Sequence, residues 1–216
     1  MISDNVKSMM KEISNQTIVA ATKYVTVHEM RELLKSGIHD FGENRAQDFY
    51  EKYELLKEED ITWHFIGHLQ TNKVKKIINL IDYLHSLDRE SLAETIQKER
   101  NDVLNCFVEV NISSEPSKTG MKPEEVISFI HNCSKYDKIR IVGLMGMARL
   151  NGTEEDTFLE FKSLKRLQEQ IKELKLTNAP MMYLSMGMSQ DYKLAIKAGA
   201  THLRLGSILF RKEESQ

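Results

Sequence analysis

The chain has 216 residues, of which 41% are hydrophobic and 29% are charged, so one large domain is favoured over two small ones. Its formal net charge of −2 supplies no basic field that would attract nucleic acid or an anionic membrane. It contains no run of about 18 apolar residues and no apolar secretion signal, so we expect a cytoplasmic protein without a membrane span. The two cysteines, Cys106 and Cys133, lack metal-ligand spacing and fit a reducing compartment as free thiols.

Short apolar segments alternate with amphipathic segments along the chain. The apolar segments are predicted strands, at residues 17–22, 38–41, 62–66, 83–86, 106–112, 139–145, 182–185 and 202–205. The amphipathic segments are predicted helices, at residues 4–14, 28–36, 46–57, 72–80, 91–100, 124–133, 155–174 and 190–198. Gly37 and Gly199 directly follow two of these helices and suit the left-handed position just past a helix end.

Eight strands that alternate with eight helices predict parallel pairing with right-handed crossovers. Eight is also the number of strands at which such a sheet closes as a (β/α)8 TIM barrel. An open doubly wound sheet is the alternative, but no GxGxxG motif follows the first strand. We therefore predict an α/β fold in which residues 1–216 form a single barrel domain.

Polar and small residues follow most of the predicted strands, where a barrel collects its functional groups. Lys23 follows the first strand and could form a Schiff base, although a surface lysine is an equally open interpretation. After the seventh and eighth strands, residues 185–189 and 206–207 offer amide groups and hydroxyls that suit a phosphate. Arg204 would point into the same site from the last strand. This pattern favours a phosphorylated aldehyde held on Lys23.

Other polar residues give weaker signals. His64 and His68 are four residues apart, but a strand-to-loop break separates them, so we expect no metal site. Asn44 and Lys118 lie in polar loops and could reach the barrel mouth, although simple solvation explains Lys118 equally well.

Several distinctive segments occur along the chain, at residues 41–45 (FGENR), 63–73 (WHFIGHLQTNK), 85–88 (HSLD), 110–112 (VNI), 117–120 (SKTG), 143–145 (GLM), 184–191 (LSMGMSQD) and 204–207 (RLGS). They resemble segments of the pyridoxal 5′-phosphate (PLP) homeostasis proteins, which are similar to the N-terminal barrel of alanine racemase. The resemblance covers nearly the whole chain and depends on several independent motifs.

The resemblance implies a role for individual residues toward bound PLP. Lys23 would form the internal aldimine, Arg204 would face the pyridine nitrogen, and Asn44 would line the pocket. An arginine at that nitrogen leaves it unprotonated and makes the cofactor a poorer electron sink. The residues that would bind the phosphate are Ser185, Met186, Gly187, Gly206 and Ser207. Lys118 would be a second lysine near the entrance.

The resemblance also implies a carrier of PLP for vitamin B6 homeostasis, without committed catalysis, that releases the cofactor to apo-enzymes. In alanine racemase a second base, a tyrosine, comes from a second domain across a dimer. The sequence stops at Gln216, so we expect no such domain, and we expect a monomer. A weak PLP-dependent amino-acid racemase is the alternative. A Schiff-base aldolase that uses no cofactor is a more distant one.

Overall fold

The computed structural model describes residues 1–113, 115 and 119–211, and this part of the chain contains eight strands and nine α-helices. Lys118 lies outside the described residues. The strands are β1 (Thr17–Ala21), β2 (Asp40–Glu43), β3 (Thr62–Phe65), β4 (Tyr83–Leu87), β5 (Leu104–Val110), β6 (Ile139–Gly146), β7 (Tyr183–Ser185) and β8 (His202–Leu205). The helices are α1 (Ile2–Glu12), α2 (Val27–Lys35), α3 (Ala46–Leu56), α4 (Thr71–Ile77), α5 (Glu90–Glu99), α6 (Pro123–Asn132), α7 (Glu154–Glu173), α8 (Tyr192–Ala198) and α9 (Ser207–Phe210).

The sheet is a closed barrel in which each strand pairs in parallel with the next. β8 pairs with β1 in the register Thr17↔His202 to Ala20↔Leu205, and this pairing closes the ring. The predicted (β/α)8 fold is therefore confirmed, and the open doubly wound sheet is wrong. Since all strands run in the same direction, their carboxyl ends form one rim.

The bounds of the elements differ from the prediction at a few places. β2 was expected at residues 38–41, but it begins at Asp40 and continues through Glu43, a charged residue that is fully buried. Sequence patterning assigns such a residue to a loop because charged side chains are rarely buried without a partner. The short α9 was not predicted because four residues are too few to show a helical period. Gly37 and Gly199 have φ values of 90° and 101°, as expected for residues that end helices.

The hydrophobic core lies mainly between the barrel and its surrounding helices, and a smaller cluster fills the barrel itself. The inner cluster is formed by Phe107, Val142 and Met145. Buried polar side chains lie around it, namely His64, His85, Ser185, His202 and Arg204. Such groups are tolerated in a protein interior only when they are hydrogen-bonded, so these five are candidates for a functional role. None of the described helices is long and apolar enough to cross a membrane.

We expect the protein to lose stability as the pH falls from about 6.5 toward 4. Burial, helped by electrostatic interactions with His64 and Arg204 and opposed by Asp40, lowers the pKa of His202 from 6.5 to about 4. Between these values the unfolded chain takes up a proton that the folded chain resists, so up to roughly 3 kcal/mol of unfolding free energy is lost. Urea unfolding of the wild type and of His202→Phe across this range measures the effect. A variant that keeps the full pH dependence would contradict the assignment to His202.

Candidate functional site

Two adjoining cavities open at the carboxyl rim of the barrel and share a wall formed by Ala21, Gly206 and Ser207. The first, which we name the arginine lobe, has a volume of about 310 Å³ and is also lined by Ala148, Arg149, Leu150, Met188, Ser189, Gln190, Asp191 and Arg204. The second, the lysine lobe, has a volume of about 390 Å³ and is also lined by Lys23, Tyr24, Val25, Glu29, Asn44 and Phe210. Four of the expected site residues therefore line the lysine lobe or the shared wall, and Arg204 lines the other lobe.

Lys23 lies two residues beyond the end of β1 and is half-buried in the wall of the lysine lobe. Its Nζ lies 4.9 Å from the centroid of the Tyr24 ring. A hydrogen bond and the charge of Lys23 lower the pKa of the Tyr24 hydroxyl. The Tyr24 side chain is 82% exposed, so the lysine amine is reached from solvent through this side of the mouth.

The buried carboxylate of Glu43 ties together the two segments that carry Lys23 and Asn44. Thr22 Oγ1 donates to Glu43 Oε1 at 2.7 Å, and the Asn44 amide donates to Glu43 Oε2 at 3.3 Å. Lys52 on α3 forms a salt bridge with Glu43, and its Nζ donates to the Thr22 carbonyl oxygen at 2.5 Å. Sequence reasoning missed this pair. A charged residue within FGENR and a lysine nine positions later were the only signals.

Two backbone donors at the start of α9, one of them in the shared wall, converge on one point. The amides of Gly206 and Ile208 donate to Ser189 Oγ at 3.1 and 3.4 Å. They belong to the first turn of α9, where helix amides favour an anion. A Cβ added at Gly206 would meet only Ala21, at 3.6 Å or more, so there is open space on this side. The arrangement fits a phosphate, because the Ser189 hydroxyl oxygen accepts the two hydrogen bonds that a phosphate oxygen could accept.

The other residues expected to bind phosphate lie beneath the rim and line neither lobe. Ser185 and Met186 are fully buried, and the Met186 amide donates to the His202 carbonyl oxygen at 3.2 Å. Gly187 is buried with φ +94°, and a Cβ there would lie 2.6 Å from the Ala195 Cβ. Packing against α8 therefore accounts for the glycine. In the loop after β7, the cavity wall is formed from Met188 onward, and the role of Ser185, Met186 and Gly187 toward a phosphate stays a prediction.

Arg204 is buried on β8 and is held by three hydrogen bonds. Its Nη1 donates to the Ser185 carbonyl oxygen at 2.8 Å and to Ser185 Oγ at 2.6 Å. Its Nη2 donates to the Gly146 carbonyl oxygen at 3.1 Å. Burial lowers its pKa to about 10, with Asp191 and Glu109 opposing the shift, so the side chain stays charged at neutral pH. A guanidinium has five N–H groups, and these three bonds leave one on Nη2 and one on Nε for a ligand.

The spacing of His64 and His68 does not bring their rings together. His64 is buried inside the barrel, whereas the His68 side chain is 46% exposed and lies 3.4 Å from Asp88. Across the described residues, no group of three His, Cys, Asp or Glu side chains is arranged to hold a metal ion.

Two glycine substitutions should separate packing from ligand binding. Gly187→Ala is expected to lower the unfolding free energy by about 1–3 kcal/mol, because of the positive φ and the clash with Ala195. Gly206→Ala produces no clash and should change the unfolding free energy by less than about 1 kcal/mol. Its methyl group would, however, fill the space beside the amide donors. Urea unfolding and phosphate-ligand titration of both variants measure the difference. Equal effects of the two variants on binding would contradict the assignment of the cradle to Gly206.

Comparison with known proteins identifies the family of this chain. The family described as "Alanine racemase, N-terminal domain" matches residues 1–213. The pyridoxal phosphate homeostasis protein of Aquifex aeolicus is 38% identical over 196 residues, which cover 89% of this chain and 85% of the relative. The protein of the same name in Helicobacter pylori is 37% identical over 201 residues, covering 90% of this chain and 87% of the relative.

Solved structures show the same barrel. PipY of Synechococcus elongatus, solved with PLP bound, superposes with a TM-score of 0.90 at 29% identity and covers 98% of this chain and 100% of that one. An alanine racemase of Clostridium difficile superposes with a TM-score of 0.80 at 15% identity, with 100% of this chain and 57% of that one covered, which shows the fold alone. The chain therefore belongs to the alanine racemase N-terminal domain family and, within it, to the pyridoxal phosphate homeostasis proteins.

Proposed function

We propose that this protein binds PLP reversibly across the two lobes, with the cofactor held on Lys23, and acts as a carrier in PLP homeostasis. One observation supports this most strongly. A lysine amine, a pair of convergent backbone amides and a buried arginine lie around two adjoining cavities that share a wall. These are the donors that a phosphorylated aldehyde with an aromatic ring nitrogen requires.

Each part of the site has a separate task in this proposal. When bound, PLP supplies an aldehyde that condenses reversibly with a primary amine, and Lys23 is the residue that would supply the amine. The amides of Gly206 and Ile208 would hold the phosphate, with Ser189 Oγ turned from acceptor to donor. The unused N–H groups of Arg204 would meet a ring acceptor, and Asn44 would close the lysine lobe. Glu43 and Lys52 keep Lys23 and Asn44 in place.

The proposed role is a carrier without committed catalysis. Its relatives are named homeostasis proteins, and the mouth is flanked by Tyr24 and Leu150, which are 82% and 76% exposed. An open mouth lets amines and recipient apo-enzymes reach the cofactor. We further propose that the carrier is a monomer that acts in the cytoplasm, since the thiols of Cys106 and Cys133 are free and a reducing compartment preserves them.

The experiment is a titration with PLP, followed by borohydride reduction and peptide mass mapping. We expect a visible absorption band that saturates at one equivalent, and a reduced pyridoxyl group on Lys23. Addition of cysteine before reduction should abolish the band, because the amine reaches an open mouth. No band, or label scattered over exposed lysines, would overturn the proposal.

A further inference from the structure

A continuous chain of hydrogen bonds crosses the inside of the barrel from Arg204 at the mouth to Asp40 at the other end. Arg204 Nη1 lies 2.6 Å from Ser185 Oγ, which lies 2.8 Å from His85 Nδ1. His85 Nε2 lies 2.9 Å from His64 Nδ1, and His64 Nε2 lies 2.9 Å from Asp40 Oδ1. The chain links β8, β7, β4, β3 and β2, so it bridges the lumen between β7 and β4.

The donors and acceptors of this chain can be arranged in one consistent direction. A guanidinium only donates, so the Ser185 hydroxyl accepts from Arg204, and its own hydrogen is available to donate to His85 Nδ1. The pKa of His85 lies well below its usual value, mainly because of burial, and electrostatic interactions with the neighbouring His64, His202 and Arg204 lower it further. A neutral His85 that accepts at Nδ1 donates from Nε2 to His64. His64 then donates from its own Nε2 to Asp40, which as a carboxylate only accepts.

The side chains in the middle of the chain are held firmly in place. The His64 ring stacks on Tyr83 with its centroid 4.7 Å away and an interplanar angle of 6°. The His85 ring packs on Phe107 at 4.3 Å. His64, His85 and Ser185 are all fully buried, so water does not compete for their hydrogen bonds. The arrangement is therefore a rigid interior network, in which each hydrogen bond polarises and strengthens its neighbours.

The two ends of the chain lie in different cavities. Arg204 lines the arginine lobe at the carboxyl rim. Asp40 is the first residue of β2 and lines a cavity of about 420 Å³ at the amino end, together with Thr17 and Gly37. Its side chain is 29% exposed, so solvent reaches the carboxylate. The network thus connects the ligand cavity to a solvent-accessible charge on the far side of the barrel.

We propose that His85 and His64 are positioning residues, which couple the Asp40 carboxylate to Arg204 and fix the guanidinium in the orientation that it presents to a bound ligand. The inference depends on the proposed function for the identity of that ligand. The three hydrogen bonds of Arg204 to Ser185 and Gly146 occupy both N–H groups of Nη1 and one of Nη2, which leaves one N–H on Nη2 and one on Nε for a ligand. Without His85, the Ser185 hydroxyl loses its acceptor and is free to rotate, which loosens one of the contacts that orient the guanidinium.

The first test reads the network in the protein without any ligand. Nitrogen-15 NMR of histidine-labelled protein at neutral pH should show His64 and His85 as neutral rings protonated at Nε2. In Asp40→Ala, which changes a partly exposed position, the ring-nitrogen resonances of His85 should shift although the two residues do not touch. A ring protonated at Nδ1, or an unchanged His85 in Asp40→Ala, would overturn the proposal. Because no PLP is present, this result is independent of the proposed function.

The second test measures PLP affinity and the position of its absorption band. His85→Leu should weaken binding about tenfold, the value of one hydrogen bond to a charged group, and should move the band. His85→Asn keeps an acceptor near the Nδ1 position and should restore most of the affinity. His202→Leu, a buried histidine in the same interior that is not part of the chain, is the matched control and should leave the band in place. Unchanged binding in His85→Leu, or an equal loss in His202→Leu, would contradict the coupling.

Discussion

Replacement of Lys23 by alanine is expected to remove covalent PLP binding completely. Lys23 supplies the amine of the lysine lobe in the proposed function, and Gly206, Ile208 and Arg204 would remain to bind phosphate and ring only by noncovalent contacts. The visible band should therefore disappear, and borohydride labelling should fall to the level of exposed surface lysines. Absorbance titration and peptide mapping measure both effects. Because Lys23 is only half-buried at the rim, the unfolding free energy should change by less than about 1 kcal/mol.

The matched control is Lys73→Ala. Lys73 lines a neighbouring cavity that shares Asn44 with the lysine lobe but does not include Lys23. It is exposed, and its removal should leave the band and the labelled peptide unchanged. If the label persists in Lys23→Ala and disappears in Lys73→Ala, the reacting amine is Lys73, and the assignment to the lysine lobe is wrong.

Removal of Lys52 should produce the largest loss of stability of any single change considered. Lys52 neutralises Glu43, which is fully buried and has no access to water. An unpaired buried carboxylate costs about 3–5 kcal/mol, so Lys52→Met should lower the unfolding free energy by that amount in urea. The loss should also displace Thr22 and slow borohydride labelling of Lys23, because Nζ of Lys52 supports the Thr22 carbonyl.

The double variant Glu43→Gln with Lys52→Met separates charge from packing. If the unpaired carboxylate is the cause, removal of its charge should recover at least half of the lost stability. A double variant as unstable as Lys52→Met alone would show instead that the methylene groups of Lys52, and not its charge, stabilise this region.

The order of strands and helices and the closed barrel could be predicted from the sequence. Apolar periodicity is a local property, and eight alternating units leave few topologies that bury both faces of a parallel sheet. The glycine positions at 37 and 199 were also predictable, since a left-handed residue after a helix is a local requirement. Lys23 was found for the same reason, because a lysine directly after an apolar strand is visible in the sequence.

The three-dimensional contacts decided which residues of each rim loop face the cavity. Ser185 and Ser189 lie in one motif and have the same side chain, yet Ser185 is buried against Arg204 and His85 while Ser189 meets the amides of α9. The sequence cannot distinguish them, because the difference arises from where the strand ends and from contacts with other strands.

The interior polar network likewise depends on tertiary structure. His85 and Ser185 are 100 positions apart and meet only because the barrel closes. The sequence predicts Glu43 as a loop residue, and only the structure shows that it is paired with Lys52 on the following helix, α3. The sequence by itself determined the barrel and its family and pointed to Lys23 as the candidate amine, since these follow from local pattern and motif. Only the folded barrel decided which buried polar groups pair with one another, because hydrogen bonding in a water-free interior depends on contacts across the lumen.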